Sequence, residues 1–273
     1  MKETVLFIHS VGTSRQLWAG VSSESIGGRE AICPANIGYP PQALVPRGQT
    51  VTAADEAAHL LRSLTNESDP VHIVAHSYGA TVALVLAEHP EFRKRLASMV
   101  LAEPVLFGSL IADHDGSIGA AEPATVASAR EFAKNPVFSK DETGGGPEWL
   151  EVFIDYWNRP GTWLRMPQAS KQETLAIGWK MYQEVKACFA ADKPFRDYVL
   201  DVPTTLVMGA RTTVHSRAMT QSLARTHAVR LVELAGVSHM APLTHPAMLQ
   251  SVIAEHFAAL GQETTNQGTS EKQ

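Results

Sequence analysis

Two cysteines in 273 residues, Cys33 and Cys188, cannot build a disulfide framework, and neither stands in a metal-ligand or redox spacing. A reducing, cytoplasmic setting is the expectation. Basic charge is not in excess either: 23 Lys and Arg against 28 Asp and Glu leave a formal charge of −5, which argues against nucleic acid or an anionic membrane surface as a partner. No apolar run reaches bilayer-spanning length, and Met1 is followed so closely by a first strand that no room is left for a secretory signal. A soluble intracellular chain with a small neutral or apolar ligand is therefore expected, with no metal, no cofactor and an undetermined oligomeric state. Aromatic residues are sparse at 7%, yet 13 of the 19 fall between Pro104 and Leu200. Four of the five tryptophans are among them, Trp149, Trp157, Trp163 and Trp179.

Against that background the stretch Val71 to Glu88 stands out. A β-branched run, Val71 to Val74, suits a buried parallel strand, and the apolar residues after Gly79 suit a helix that Pro90 closes. Ser77 lies at the corner. In a Gly-x-Ser-x-Gly elbow, small residues two places either side of the serine let strand and helix pass closely; here they are Ala75 and Gly79. A bland alternative is that Ser77 is only the N-cap of the helix, a position serine favours.

Other elements follow in order. Thr4 to Ile8, Glu30 to Pro34, Leu96 to Ala102, Thr204 to Met208 and Val229 to Leu234 read as strands. Thr52 begins a helix whose Ala54, Ala57, Ala58, Leu61 and Leu64 repeat at helical spacing, and a last helix from Pro246 turns Leu249, Val252, Ile253, Phe257 and Leu260 inward. Helices are predicted over 124–134, 147–157 and 168–190, with Gly144-Gly145-Gly146-Pro147 as a break. That glycine run has neither the preceding strand nor the following Lys-Ser/Thr pair of a phosphate loop. Asp113-His114-Asp115 lacks the spacing that converges metal ligands and reads as a solvated loop.

The elbow, the segment Leu6-Phe7-Ile8-His9-Ser10-Val11-Gly12 and the segment Gly236-Val237-Ser238-His239-Met240 occur in the order found in the α/β-hydrolase fold superfamily, which the chain resembles over nearly its whole length. The resemblance implies an α/β fold with a mostly parallel, doubly wound sheet. It also implies a core of residues 1–103 and 201–260 with a helical cap, 104–200, inserted after the sixth strand; residues 261–273, almost free of large apolar residues, are expected to be disordered. It implies Ser77 as nucleophile and His239 as its base, while His76 should point away and His245 should sit at the start of the last helix. The backbone N–H groups of Val11 and Tyr78 would form an oxyanion hole, with His9 pinning the loop between them. Many members carry their acid in the loop that is here Gly209 to His215, which has no carboxylate. Glu103, at the C-terminal tip of Leu96 to Ala102, is then the candidate acid, with Asp113 and Asp115 as runners-up; Asp201 precedes its strand and belongs to the opposite edge. Trp157, Trp163 and Phe107 are candidate substrate contacts in an apolar pocket under the cap.

A serine nucleophile argues against the aspartate-based epoxide hydrolases and haloalkane dehalogenases of the same fold. Hydrolysis of a carboxylic ester or lactone through an acyl-enzyme is the expected activity. The alternatives are cleavage of a carbon–carbon bond in a β-diketone or ring-fission product, and a ligand-binding protein that has kept the fold and lost turnover.

Overall fold

The computed structural model describes residues 3–64, 68–112 and 121–270. Six strands form one sheet in the order β2-β1-β3-β4-β5-β6, every neighbouring pair parallel. They are β1 (Thr4–Ile8), β2 (Glu30–Ile32), β3 (Val71–His76), β4 (Leu96–Ala102), β5 (Thr204–Gly209) and β6 (Arg230–Leu234). Side chains alternate between two cores, as the two-residue repeat of a strand requires. Val5, Phe7, Val74, Val100 and Val207 face one side, and Leu6, Ile8, Ile73, Leu101 and Leu206 the other.

The chain leaves β1 for the outer strand β2 and returns to place β3 on β1's other flank. This makes the C-terminal ends of β1 and β3 the switch point at which open α/β sheets bind ligands. Helices α1 (Ala53–Leu61) and α2 (Tyr78–Glu88) pack on the Leu6 side, α3 (Pro90–Arg93) follows α2, and the Val5 side is covered by the last helix. Thr52 and Asp55 form a reciprocal capping box at the start of α1. The predicted face of α1 is met in part: Ala57 and Leu64 are buried and Leu61 packs on the core. Ala54 and Ala58 are exposed, and Glu56 and Leu60 turn in instead, because the carboxylate of Glu56 is paired inside the protein.

Between β4 and β5 the described residues are helical: α4 (Phe107–Ala112), α5 (Pro123–Lys134), α6 (Pro136–Ser139), α7 (Pro147–Trp157), α8 (Thr162–Arg165), α9 (Gln168–Ala176) and α10 (Gly178–Ala190). By resemblance this insertion follows a sixth strand; in this sheet it follows the fourth of six. The helix predicted over 168–190 is two helices that break before Gly178. A Cβ on Gly178 would lie 2.1 Å from the carbonyl oxygen of Gly145, so the start of α10 is pressed directly on the glycine run. That run is a close-packing site as well as a break.

After β5 come α11 (Val214–His227), β6, α12 (Ala241–Thr244) and α13 (Pro246–Ser270). α13 runs on through residues 261–270. Among the described residues no helix is long and apolar enough to cross a membrane. Asp113, His114 and Asp115 lie outside the described residues.

Six histidines are buried: His9, His72, His76, His215, His239 and His256. His72 Nδ1 and His256 Nε2 share the hydroxyl of Ser98 at 2.8 and 2.9 Å. Burial, as the largest cause, pushes His9, His72 and His256 down to about 4 and His76 to about 3. Between that range and the ordinary value of 6.5 the unfolded chain holds protons that the folded chain refuses. Stability contributed by these groups is complete above pH 6.5 and falls as pH drops towards 4, by about 1.4 kcal/mol per pH unit for each such histidine. Urea midpoints should therefore drop steeply from pH 7 to pH 5; a flat midpoint over that interval would contradict the burial of these rings in neutral form.

Candidate active site

Ser77 joins β3 to α2 with φ 57° and ψ −123°, a conformation that side chains rarely adopt. The turn is forced by the closeness of strand and helix. A Cβ on Gly79 would lie 2.6 Å from the carbonyl oxygens of both Ile8 and His9, whereas the methyl of Ala75 is fully buried in β3 between Ile8 and Leu101. The side chain of Ser77 does not cap α2. Its hydroxyl faces away from its own helix, 3.0 Å from His239 Nε2.

His239 comes from the loop after β6, and its Nδ1 donates to Glu103 Oε2 at 2.6 Å. Glu103 follows β4 directly, with φ 47° and its N–H bonded to Val207 O at 2.9 Å. Its carboxylate is saturated with donors. Oε1 accepts the N–H of Gly209 at 2.8 Å, and Oε2 accepts the hydroxyls of Thr212 and Ser216, both at 2.5 Å, beside His239. Burial pushes this acid up, but the neighbouring His239, its hydrogen bond, and the Gly209 and Ser216 donors together hold it down at about 2. An ionised carboxylate only accepts, so Nδ1 carries the imidazole proton and Nε2 presents its lone pair to Ser77. This is the orientation in which a histidine can take a proton from a serine hydroxyl.

The loop from β1 passes beside Ser77. Ser10 and Thr13 close a turn, Thr13 N to Ser10 O at 3.2 Å and Ser10 N to Thr13 Oγ1 at 3.1 Å, with Val11 and Gly12 at its tip. Gly12 has φ 66°, the left-handed region that a turn's third residue needs and glycine supplies. Among the described residues, the N–H of Val11 and that of Tyr78, the first of α2, have no protein acceptor. Both belong to residues flanking the Ser77 site, and the second stands at the positive end of a helix. His9 is a structural residue. Its Nδ1 donates to Ser10 O at 3.1 Å and its Nε2 accepts the N–H of Asn36 at 3.1 Å.

Two cavities open on Ser77. A small one of about 20 Å3 is lined by apolar side chains including Phe107, Phe132, Phe153, Trp157 and Phe189, and does not touch His239. A larger one of about 250 Å3 contains His239, Ser10, Thr13, Asn158 and Thr162. Phe153 and Trp157 stand between them, and the Trp157 ring stacks on His239 with centroids 3.9 Å apart. A groove of about 400 Å3 between α1, α2 and α10 is lined by no serine, cysteine or histidine.

Of the candidates from sequence, Ser77, His239 and Glu103 meet, and Val11, Tyr78, Trp157 and Phe107 surround them. Trp163 is corrected: it lines neither cavity on Ser77. Asp155 accepts the N–H groups of Gly161 and Trp163 at 2.5 and 2.9 Å, which folds α8 over so that the indole is buried with Lys171 above it. His76 points away and donates Nε2–H to His239 O at 2.9 Å, His245 is exposed before Pro246, and Asp201 pairs with Arg93. The sequence reading missed Thr212 and Ser216. Their signal is visible in retrospect, since the loop without a carboxylate and the first turn of α11 after it each carry a hydroxyl that addresses one.

The alpha/beta hydrolase family's sequence profile matches residues 5–249. No curated protein matches the chain. Solved structures with a similar fold include MenH from S. aureus, with 13% identity, a TM-score of 0.64 and coverage of 94% of each chain. An enol-lactonase from Burkholderia xenovorans LB400 has 14% identity and a TM-score of 0.61, over 94% of this chain and 92% of that one. A thermophilic esterase from Thermogutta terrifontis has 20% identity and a TM-score of 0.59, over 93% and 89%. At these identities the likeness is one of fold.

Proposed function

The chain belongs to the alpha/beta hydrolase family, and from that premise we propose that it is a capped serine hydrolase cleaving a carboxylic ester or lactone through an acyl-enzyme on Ser77. The observation that carries this reading is the unbroken line Ser77 Oγ, His239 Nε2 at 3.0 Å, His239 Nδ1, Glu103 Oε2 at 2.6 Å. Ser77 Oγ attacks the carbonyl carbon while its proton passes to His239 Nε2. The resulting oxyanion is held by the N–H groups of Val11 and Tyr78. Collapse breaks the bond to the leaving oxygen, which takes the proton from Nε2. Water, deprotonated by the same nitrogen, then releases the acid and restores Ser77.

The proton route also orients the substrate. A leaving oxygen must lie beside His239, which lines only the larger cavity, so the alcohol part belongs there and the acyl part in the small apolar one. The favoured substrates therefore join a short apolar acyl group to a larger, partly polar alcohol, or hold both in a lactone ring. Phe107→Val would enlarge the acyl side. It should raise the ratio of kcat/KM for hexanoyl over acetyl esters by about tenfold or more, since single methylenes in such pockets are worth that much. An unchanged acyl-length profile would assign Phe107 to packing alone.

The reading is tested by a fluorophosphonate probe together with a panel of esters, lactones and β-diketones. Labelling at Ser77 with ester or lactone turnover is the expected result. Labelling with turnover of diketones alone would move the reaction to carbon–carbon cleavage, and an unlabelled, inactive protein would leave a binding function.

A further inference from the structure

On the far side of the loop that carries Val11 and Gly12, ionisable side chains from α1, α10 and the loop after β2 meet in the interior. Lys180 Nζ donates to Glu56 Oε2 at 2.8 Å and to Glu184 Oε1, one turn further along α10, at 2.6 Å, and all three side chains are buried. Glu56 Oε1 accepts the N–H of Ile37 at 2.7 Å. Glu184 Oε2 accepts the hydroxyl of Tyr39 at 2.5 Å, and the Tyr39 oxygen accepts the N–H of Gly12 at 2.8 Å. The Lys180 ammonium also lies 5.4 Å from the centre of the Tyr39 ring and 5.3 Å from that of Tyr78. Burial pushes Lys180 towards its neutral form, but Glu184 and Glu56 outweigh it and hold the ammonium above the ordinary lysine value.

A buried lysine between two carboxylates is a poor way to gain stability, since desolvation cancels much of the attraction. Its use here is legible from where it ends. One arm reaches the N–H of Gly12, next in chain to Val11, and the other lies over the ring of Tyr78, so the residues on which both proposed oxyanion donors depend border the same ion cluster. A turn tip with φ 66° at Gly12 could rotate its peptides and offer the pocket the wrong N–H; the Tyr39 hydroxyl removes that freedom by engaging Gly12 from behind. The packing agrees, because a Cβ on Gly12 would meet Met181 Cε at 2.8 Å, so α10 presses on the turn as well.

We propose that Tyr39, anchored by Glu184 and Lys180 of the inserted helix α10, is a positioning residue that fixes the anion-binding N–H of Val11 towards Ser77 and so makes the reaction depend on where the insertion sits. The proposal rests on the acyl-enzyme reading. Its substance is that these residues act on the tetrahedral state and not on substrate affinity.

The full-length protein is assayed on a p-nitrophenyl ester that it hydrolyses. Tyr39→Phe should lower kcat by about tenfold or more, within the range that disturbed oxyanion donors cost, with KM changed by less than about threefold. A phenylboronic acid, which adds to Ser77 as a tetrahedral anion, should bind more weakly by a factor similar to the loss in kcat, while the planar carboxylic acid product should bind as before. The double variant Tyr39→Phe, Glu184→Leu removes the carboxylate that has lost its Tyr39 donor, and kcat should stay low because Gly12 still lacks its acceptor. Wild-type kcat in Tyr39→Phe would overturn the proposal, as would recovery in the double variant or equal losses in boronate and product binding. Ser77→Ala is assayed in parallel: turnover in that variant would sink the acyl-enzyme reading itself, whereas an inactive Ser77→Ala beside an unaffected Tyr39→Phe would remove only the relay.

Discussion

Ser77→Ala is expected to lower kcat by about 10⁶ while leaving the fold and its unfolding midpoint close to those of the unchanged protein. The hydroxyl makes one hydrogen bond, to His239 Nε2 at 3.0 Å, and does not cap α2, so no structural partner is lost with it. Backbone strain at φ 57° is the same for alanine as for serine. Everything else in the site persists: the open N–H groups of Val11 and Tyr78, the Glu103 carboxylate and both cavities. Such a variant should therefore still bind product and still stabilise an oxyanion, yet form no covalent intermediate and take no fluorophosphonate label. Retention of more than about a hundredth of wild-type kcat, with the fold checked by circular dichroism, would mean that water or another group attacks the substrate, because loss of a serine nucleophile elsewhere removes far more.

Much of this arrangement is legible in the chain because it is local. The elbow is a β-branched run, a serine between two small residues, and an apolar helix, all within residues 71–88. Its glycine is explained by the carbonyls of Ile8 and His9 that α2 passes at contact distance. Glu103 follows from a negative observation, the loop Gly209 to His215 without a carboxylate, combined with its own place at a strand tip. What could not be read is whatever depends on distant pairing. Four tryptophans of the insertion look alike in sequence, but only Trp157 stacks on His239, whereas Trp149 is core, Trp163 is folded under Lys171 and Trp179 donates to Gln49 O. Helical periodicity puts Ala54 and Ala58 on the inner face of α1 beside Ala57, where Glu56 and Leu60 lie instead, since apolar patterning cannot foresee a glutamate drawn inward by a lysine 124 positions away. Gly178 was absorbed into a continuous helix because its reason for being glycine is the backbone of Gly145, on another segment. Tyr39 lies in a turn of Gly and Pro that carries no motif, and its part is defined only by Gly12 and Glu184.

Glu103→Gln should lower kcat by about 10⁴, the cost of losing an orienting carboxylate in comparable sites, with little change in KM. The reasoning is geometric. Every group around the carboxylate can donate: the N–H of Gly209, the hydroxyls of Thr212 and Ser216, and His239 Nδ1. An amide has one nitrogen that must face some of these donors. Facing Gly209, it meets an N–H that cannot rotate away; facing Thr212, Ser216 and His239, it finds hydroxyls that can turn and an imidazole that can change tautomer. The second orientation is therefore preferred, and it moves the proton of His239 from Nδ1 to Nε2. A protonated Nε2 cannot take the proton of Ser77, so the step fails while the substrate, which meets Glu103 in neither cavity, still binds. Stability supplies a second reading of the same variant. The carboxylate is held at about 2, below its ordinary 4.5, so its contribution is complete above pH 4.5 and is lost as pH falls towards 2. Glu103→Gln should thus be less stable than the unchanged protein at pH 7, and the difference should shrink in acid. Asp201→Asn, which alters a carboxylate paired with Arg93 at the protein surface, should leave kcat within about twofold, as exposed ion pairs contribute little. Near-wild-type kcat in Glu103→Gln, or a loss in Asp201→Asn of the same size, would take Glu103 out of the line that begins at Ser77.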